Sequence, residues 1–354
     1  MTKAELDNRK ILPLEDSWYR RVKEKLDGIA KPLDGLGKFE HLIAQIGAIE
    51  KTTKISIQKK AVLVMCADNG VVEEQVSQSG KEVTLAVAKA MGVNNSSVGK
   101  MAAVAGVDVV PVDIGIDTDE VIPGVLPRKV AKGTKNFAKE PAMTEEEVLK
   151  AIETGIQLVQ QCHREGYEIL ATGEMGIGNT TTSTAVAAAL LDLEVEQVTG
   201  KGAGLTDEAL ERKCRVIEEA IEKYSLRDAD AFTILKTVGG LDIAGLTGVF
   251  IGAAIEQIPV VIDGVISAVA ALLAETLCKG AVNYMIPSHK SRELAETAIM
   301  KKLHLDPVLD ADMALGEGTG AVMMMSLLDV ALGVYLQGAS FANFEIEQYK
   351  RYEE

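Results

Sequence analysis

Gly173-Glu-Met-Gly-Ile-Gly-Asn-Thr-Thr-Thr182 is the stretch whose reading decides the fold of this 354-residue chain. The apolar run Ile169-Leu-Ala171 enters it as a strand, and the alanine-rich run Ser183–Leu191 leaves it as a helix. Strand, glycine loop and helix in that order make an anion site, because free N–H groups and the helix dipole both favour a phosphate there. The glycines let the backbone approach a ligand closely and adopt positive φ. Asn179 stands where a nucleoside-triphosphate loop carries Lys, and the glycine spacing is not that of the dinucleotide fingerprint. Either a phosphate loop of another kind or a glycine turn without a ligand remains.

The same alternation runs through the chain. Residues 1–30 read as amphipathic helix, and the Pro and Gly of Lys31-Pro-Leu-Asp-Gly-Leu-Gly37 break it. Helical periodicity resumes over Phe39–Ile49. Lys60-Ala-Val-Leu-Val-Met-Cys66 is an apolar run of strand length, as in a sheet covered on both faces, and ends in the polar turn Ala67-Asp-Asn-Gly70. Helix is expected over Lys81–Ala103 with a break near Gly92, strand over Val107–Ile114, and a long connection over residues 118–142. Thr144-Glu-Glu-Glu147 is a capping box that opens a helix to about Glu165. Further on come the glycine loop Thr199–Gly204, a helix over Asp207–Tyr224, strands over Ile258–Ile262 and near Val282–Ile286, and a last core helix after Leu315-Gly-Glu-Gly-Thr-Gly-Ala321. Strand and helix in alternation predict an α/β fold with a doubly wound, mainly parallel, Rossmann-like sheet.

Hydrophobic residues make up 47 % of the chain and aromatics only 4 %, so Ala, Val, Ile and Leu must fill the core. The net charge of −15 argues against nucleic acid or an anionic membrane as a partner. Cys66, Cys162, Cys214 and Cys278 lack metal or redox spacing and read as buried free thiols. No two histidines stand at ligand spacing, so no metal is expected. The N-terminus carries no apolar signal region, and the apolar runs Ile243–Ile255 and Gly264–Ala274 are too short to span a bilayer. A cytoplasmic location is therefore expected.

Polar-tipped glycine loops around Asp68, Glu174, Asp263 and Glu317 each end a strand or open a helix, which points to one crevice at the C-terminal edge of the sheet. Glu174 and Glu317 are the candidates for acid–base work, because a Glu in a closed pocket is desolvated and its pKa rises. The alternative for each is a helix-N-terminal Glu that complements the dipole. His289 positions a loop or takes part in catalysis.

Several of these motifs, in this order, resemble the nicotinate-nucleotide–dimethylbenzimidazole phosphoribosyltransferase family, which activates the lower ligand of cobamides. They are Ala67-Asp-Asn-Gly70, Pro141-Ala-Met-Thr144, Gly173–Thr181, Pro259–Gly264, Ser288–Glu293 and Leu315–Ala321. The resemblance runs from about Lys31 to Leu336. It implies transfer of the phosphoribosyl group of nicotinate mononucleotide to a benzimidazole nitrogen, with nicotinate released, an α-linked product and no cofactor. It implies Glu317 as general base, with Glu174 the second catalytic carboxylate. Gly176, Gly178, Asn179, Thr180, Gly202, Lys213, Asp263, Gly264 and Ser291 would hold the mononucleotide. Ser79, Gly80, Met175 and Leu315 would line the acceptor-base site. It also implies a homodimer and a division into an α/β catalytic domain, 31–336, and a small helical subdomain made of 1–30 and 337–354.

The chain departs from the family pattern in places. Asn69 stands for a usual His, Pro32-Leu-Asp-Gly-Leu-Gly37 for Pro-x-Gly-Ser-Leu-Gly, and Gly200-Lys-Gly-Ala-Gly204 for Gly-Arg-Gly-Thr-Gly. Ser77-Gln-Ser-Gly80 replaces an aromatic or apolar wall, which predicts a permissive acceptor site. Two alternatives remain: a silent nucleotide-binding partner subunit, or the same transferase acting on adenine or a phenol.

Overall fold

The computed structural model describes residues 1–202 and 204–351. Ala203, within the second glycine loop, and Tyr352–Glu354, at the end of the tail, lie outside the described residues. Six strands form one sheet: β1 (Lys60–Ala67), β2 (Val107–Gly115), β3 (Leu126–Pro127), β4 (Ile169–Met175), β5 (Val260–Ile262) and β6 (Met285–Pro287). Their spatial order is β3-β2-β1-β4-β5-β6, and every pairing is parallel. This is the doubly wound order in which the winding reverses between β1 and β4, where ligands of such sheets bind. A separate parallel pair, β7 (His289–Ser291) and β8 (Leu309–Met313), stands beyond β6.

Period-two alternation of the strand side chains divides the core into two layers. Leu63, Met65 and Leu170 face one layer, which includes the helices Glu145–Arg164, Leu241–Glu256 and Val265–Leu277. Val62, Val64 and Ala171 face the other, built on Lys38–Ile49, Ser97–Ala105 and Thr319–Gln337. All eight residues of β1 are buried, as its unbroken apolar run requires.

Local signals place the element ends. Thr144 Oγ1 accepts from Glu147 N (3.2 Å) while Glu147 accepts from Thr144 N (2.7 Å), the reciprocal capping box. The break near Gly92 separates helices Glu82–Gly92 and Ser97–Ala105, the second opened by Ser96 Oγ, which accepts from Gly99 N. The long connection holds β3, whose Pro127 is tolerated at the sheet edge. The strand placed near Val282–Ile286 begins at Met285, because a 3₁₀ turn occupies Ala281–Tyr284.

The termini meet: Ala30 N donates to Ala339 O (2.8 Å), and Arg351 reaches Asp27 and Asp34. The first residues instead join the main core, where Leu6 is buried. Cys66, Cys162 and Cys278 are buried and Cys214 is half-buried, all as free thiols. Helix Thr319–Gln337, unlike the shorter runs Ile243–Ile255 and Gly264–Ala274, is long and apolar enough to cross a membrane. Ten of its residues are buried against the sheet and neighbouring helices, which accounts for its apolar character.

Candidate active site

A cavity of about 320 Å³ opens at the C-terminal ends of β4 and β5, beside the point where the winding reverses. Glu174, Asp263, Glu293 and Glu317 line it, and among the described residues no Lys or Arg does. Three of the four expected glycine loops therefore converge. The fourth lies behind the wall, where Asp68 Oδ2 accepts from Asp117 N and Asn69 Nδ2 donates to Ile177 O.

The loop Gly176–Gly178 joins strand to helix as its sequence suggests. Gly178 takes φ +91 and helix Asn179–Leu191 starts directly after it. Gly176, Asn179 and Thr180 line the large cavity, while Gly178 lines a smaller adjoining one of about 100 Å³. Gly202 borders both. Lys213 is fully buried behind Thr180, and its Nζ donates to Thr180 Oγ1 and Gly200 O at 3.1 Å each. Burial pushes its ammonium pKa down to about 8 against the pull of Glu293. An anion bound at the loop would favour the charged form.

Glu317 lies between Gly316 and Gly318 at φ +65, a conformation that costs a non-glycine residue on the order of 1 kcal/mol. Its neighbours hold it there. Its N–H donates to Glu174 O (3.2 Å), and its Oε2 accepts from Val98 N (3.0 Å) at the start of helix Ser97–Ala105. Asp263 anchors the same loop, since its two oxygens accept from Gly318 N (3.2 Å) and Ala321 N (3.0 Å). Burial raises Asp263 to about 6, opposed by the backbone N–H groups at the start of helix Thr319–Gln337. Asp263 thus fixes the Glu317 loop.

Glu174 faces this loop across the cavity. A Cβ added to Gly316 would lie 2.5 Å from Glu174 Oε1, so only glycine admits the carboxylate at this distance. Burial first, and then the charge of Asp242, raise the Glu174 pKa to about 8, against a hydrogen bond from Asn179 Nδ2. His289 lines the cavity with Nδ1 2.9 Å from Ser288 Oγ, and burial lowers its pKa. Gly264 and Ser291 also line the cavity, and Ser291 N donates to Glu296.

Met175 and Leu315 line the large cavity, together with Val87, Ile177 and Ile266. Ser79 and Gly80 do not. Ser77 and Gln78 border the smaller cavity instead, because the turn folds back on itself, with Ser79 N donating to Ser77 Oγ. The wall beside Met175 is therefore more apolar than the Ser77–Gly80 stretch suggested.

A sequence model described as phosphoribosyltransferase matches residues 11–346. The chain belongs to this phosphoribosyltransferase family. Among its relatives is the nicotinate-nucleotide–dimethylbenzimidazole phosphoribosyltransferase of Clostridium acetobutylicum, 43 % identical over 95 % of this chain and 96 % of the relative. The enzyme of the same name from Acetivibrio thermocellus is 45 % identical over 93 % and 94 %. The crystal structure of CobT from Thermus thermophilus superposes with a TM-score of 0.89 at 34 % identity, over 94 % of this chain and all of that one.

Sequence reasoning assigned no role to several residues at this cavity, four of which bear on its carboxylates or its wall. Val87 and Glu293 line the cavity, Val98 N–H holds Glu317, and Asp242 stands behind Glu174. Asp242 left a local signal in the pair Gly239-Gly240 just before it at a helix start, and Glu293 closes the motif Ser288–Glu293.

Proposed function

We propose that this chain transfers the 5-phosphoribosyl group of nicotinate mononucleotide to a ring nitrogen of a benzimidazole-type base, releasing nicotinate and an α-riboside 5′-phosphate. The observation that carries this reading is a cavity that, among the described residues, has four lining carboxylates and no lining Lys or Arg, with a glycine loop backed by Lys213 at one wall. The donor has matching polarity. Its pyridinium nitrogen and the positive charge that develops on the ribosyl carbon suit the acidic wall, and its phosphate suits the loop N–H groups.

Nicotinate leaves as a neutral pyridine ring, so no acid need protonate it. The unprotonated ring nitrogen of the acceptor attacks C1′ from the opposite face, which inverts β to α, and the proton on the acceptor's other ring nitrogen must leave to neutralise the product. Glu317 is the proposed base, with one oxygen held by Val98 N–H and the carboxylate at the cavity wall. Gly176, Gly178, Asn179, Thr180, Gly202 and Lys213 are proposed to hold the phosphate end, Gly264 and Ser291 the ribose side, and Met175 and Leu315 the flat acceptor ring. Glu174 is proposed as the second catalytic carboxylate.

Incubation with nicotinate mononucleotide and 5,6-dimethylbenzimidazole should release nicotinate, read by chromatography. Silence with a whole panel of benzimidazoles, purines and phenols would defeat the reading. Benzimidazole itself should compete within about 10³-fold of the dimethyl compound, because a methyl contact is worth only about 1–3 kcal/mol. The proposal includes a cytoplasmic homodimer. Val104 and Val330, exposed on two helices that pack together, support an interface between copies, and sedimentation tests it.

A further inference from the structure

We propose that Asp242 is a positioning residue for Glu174, acting through the side-chain amide of Asn179 on the transfer described above. Asn179 Nδ2 carries two hydrogens. One is donated to Glu174 Oε2 and the other to Asp242 Oδ2 at 3.1 Å. All three side chains are buried, Asp242 completely, and Asp242 does not line the cavity. With both hydrogens committed, the amide has one orientation and the Glu174 carboxyl one seat.

The surrounding backbone is shaped to admit this bridge. A Cβ on Gly176 would lie 2.6 Å from Asp242 Oδ2 and 3.1 Å from Asn69 Nδ2. A Cβ on Gly240 would collide with Asp242 Oδ1 and Asn69 Oδ1. Asp242 Oδ1 also accepts from Ile243 N (2.9 Å), which ties the carboxylate to the first turn of its own helix. The anion loop thus rests on a buried carboxylate, and two glycines leave room for it.

The pair has an electrostatic consequence. Glu174 faces the carboxylates of Asp242, Asp263 and Glu317, and Asp242 faces Glu174, the amides of Asn69 and Asn179, and the buried thiol of Cys66. No cation hydrogen-bonds to Glu174 or Asp242 among the described residues. Two buried carboxylates joined by one amide titrate as a unit, and the doubly ionised state is the expensive one. Burial raises Glu174 to about 8 and Asp242 to about 6, so near neutral pH the pair keeps one proton, mainly on Glu174. The charge on Asp242 keeps it there.

The test is the pH profile of nicotinate release by the full chain and two variants. D242N keeps the size of the side chain and removes its charge. The limb of kcat/KM governed by Glu174 should move to lower pH by about one unit. At pH 8 a one-unit displacement takes the protonated fraction of Glu174 from about one half to about one tenth, so kcat should fall about 5-fold while KM for nicotinate mononucleotide changes less than about 3-fold, since Asp242 touches no substrate. N179S removes the bridging donor, which destabilises the doubly ionised pair, so the same limb should move to higher pH. Opposite displacements are not what loss of scaffold produces. E174Q should abolish the limb, and D242N added to it should shift nothing more.

A D242N limb that coincides with the parent's, with only the melting temperature lowered, would overturn the proposal. If D242N does not fold, the direction of the N179S shift decides. The proposal can be separated from the functional reading on which it rests. If the parent releases no nicotinate, that reading fails, and ¹³C carboxyl titration of Glu174, assigned by its loss in E174Q, still reports the coupling. The resonance must titrate at lower pH in D242N than in the parent, and an unchanged midpoint would refute the coupling.

Discussion

Two acidic clusters in this chain are buried or partly buried, and they behave in opposite ways. Near the termini, Glu40 is fully buried, yet Lys23 Nζ (2.8 Å) and Lys31 Nζ (2.5 Å) reach its two oxygens. Lys23 also meets Asp34, and Arg351 bridges Asp34 and Asp27. Burial works to raise Glu40, but the two ammonium groups and Leu36 N–H outweigh it and hold it below the usual carboxylate range. Arg351 and Lys23 likewise hold Asp34 well below its usual range. At the candidate active site, Glu174, Asp242 and Asp263 are as well buried but have only amide and backbone donors, and all three are raised. Burial alone therefore does not set acidity here. The identity of the donor does, because an ammonium cancels charge while an N–H dipole only solvates it.

The largest expected effect concerns Glu317. E317Q should lower turnover by roughly 10²–10⁴-fold, the usual worth of a general base. Calorimetric affinity for nicotinate mononucleotide should change little, and an unchanged turnover would remove Glu317 from the role. E174Q sharpens the contrast through stability. A carboxylate whose folded pKa is raised takes up a proton on folding between its unfolded value of 4.5 and about 8. It weakens the fold progressively as pH rises through that window. The variant should therefore be more stable than the parent at pH 9, by up to about 5 kcal/mol at about 1.4 kcal/mol per unit, and not at pH 4. Urea unfolding at the two pH values reads the difference, and an equal effect at both would contradict it.

The terminal cluster should show the reverse sign. E40A leaves Lys23 and Lys31 without their buried partner and should destabilise by about 3 kcal/mol at pH 7. Because the folded pKa of Glu40 is lowered, its contribution is present above the unfolded value and lost as pH falls through the folded one. The gap between E40A and the parent should accordingly narrow towards pH 3 in the same urea experiment. The smallest effect belongs to Arg351, which is half exposed. R351A should cost no more than about 1 kcal/mol, and salt should reduce the cost further. A larger, salt-independent loss would mean that the tail contributes by packing.

Much of this was legible in the chain. The apolar run of β1 announced a doubly covered parallel strand, and Thr144-Glu-Glu-Glu147 announced its helix by the reciprocal cap that forms. The anion loop and the Glu317 loop were visible as glycine patterns at strand and helix ends, and both reach the cavity. Ser79 and Gly80 lie off the large cavity, because a turn's neighbours depend on how it folds back, which its composition does not state. Val87 was hidden in a helix whose apolar positions look alike, whether they face core or cavity.

By itself, the sequence determined the layers, the parallel sheet and the candidate carboxylates, since these follow from periodicity and from residue types at element ends. Only the tertiary structure decided how those carboxylates are solvated. Asn179 meets Asp242 from 63 positions away, and Val98 meets Glu317 from 219. Such pairings depend on the crossing of separate elements in space, and no local pattern encodes them. The same residue type, Glu, is therefore held low at 40 and pushed high at 174, because one site received lysines and the other an amide and a second carboxylate.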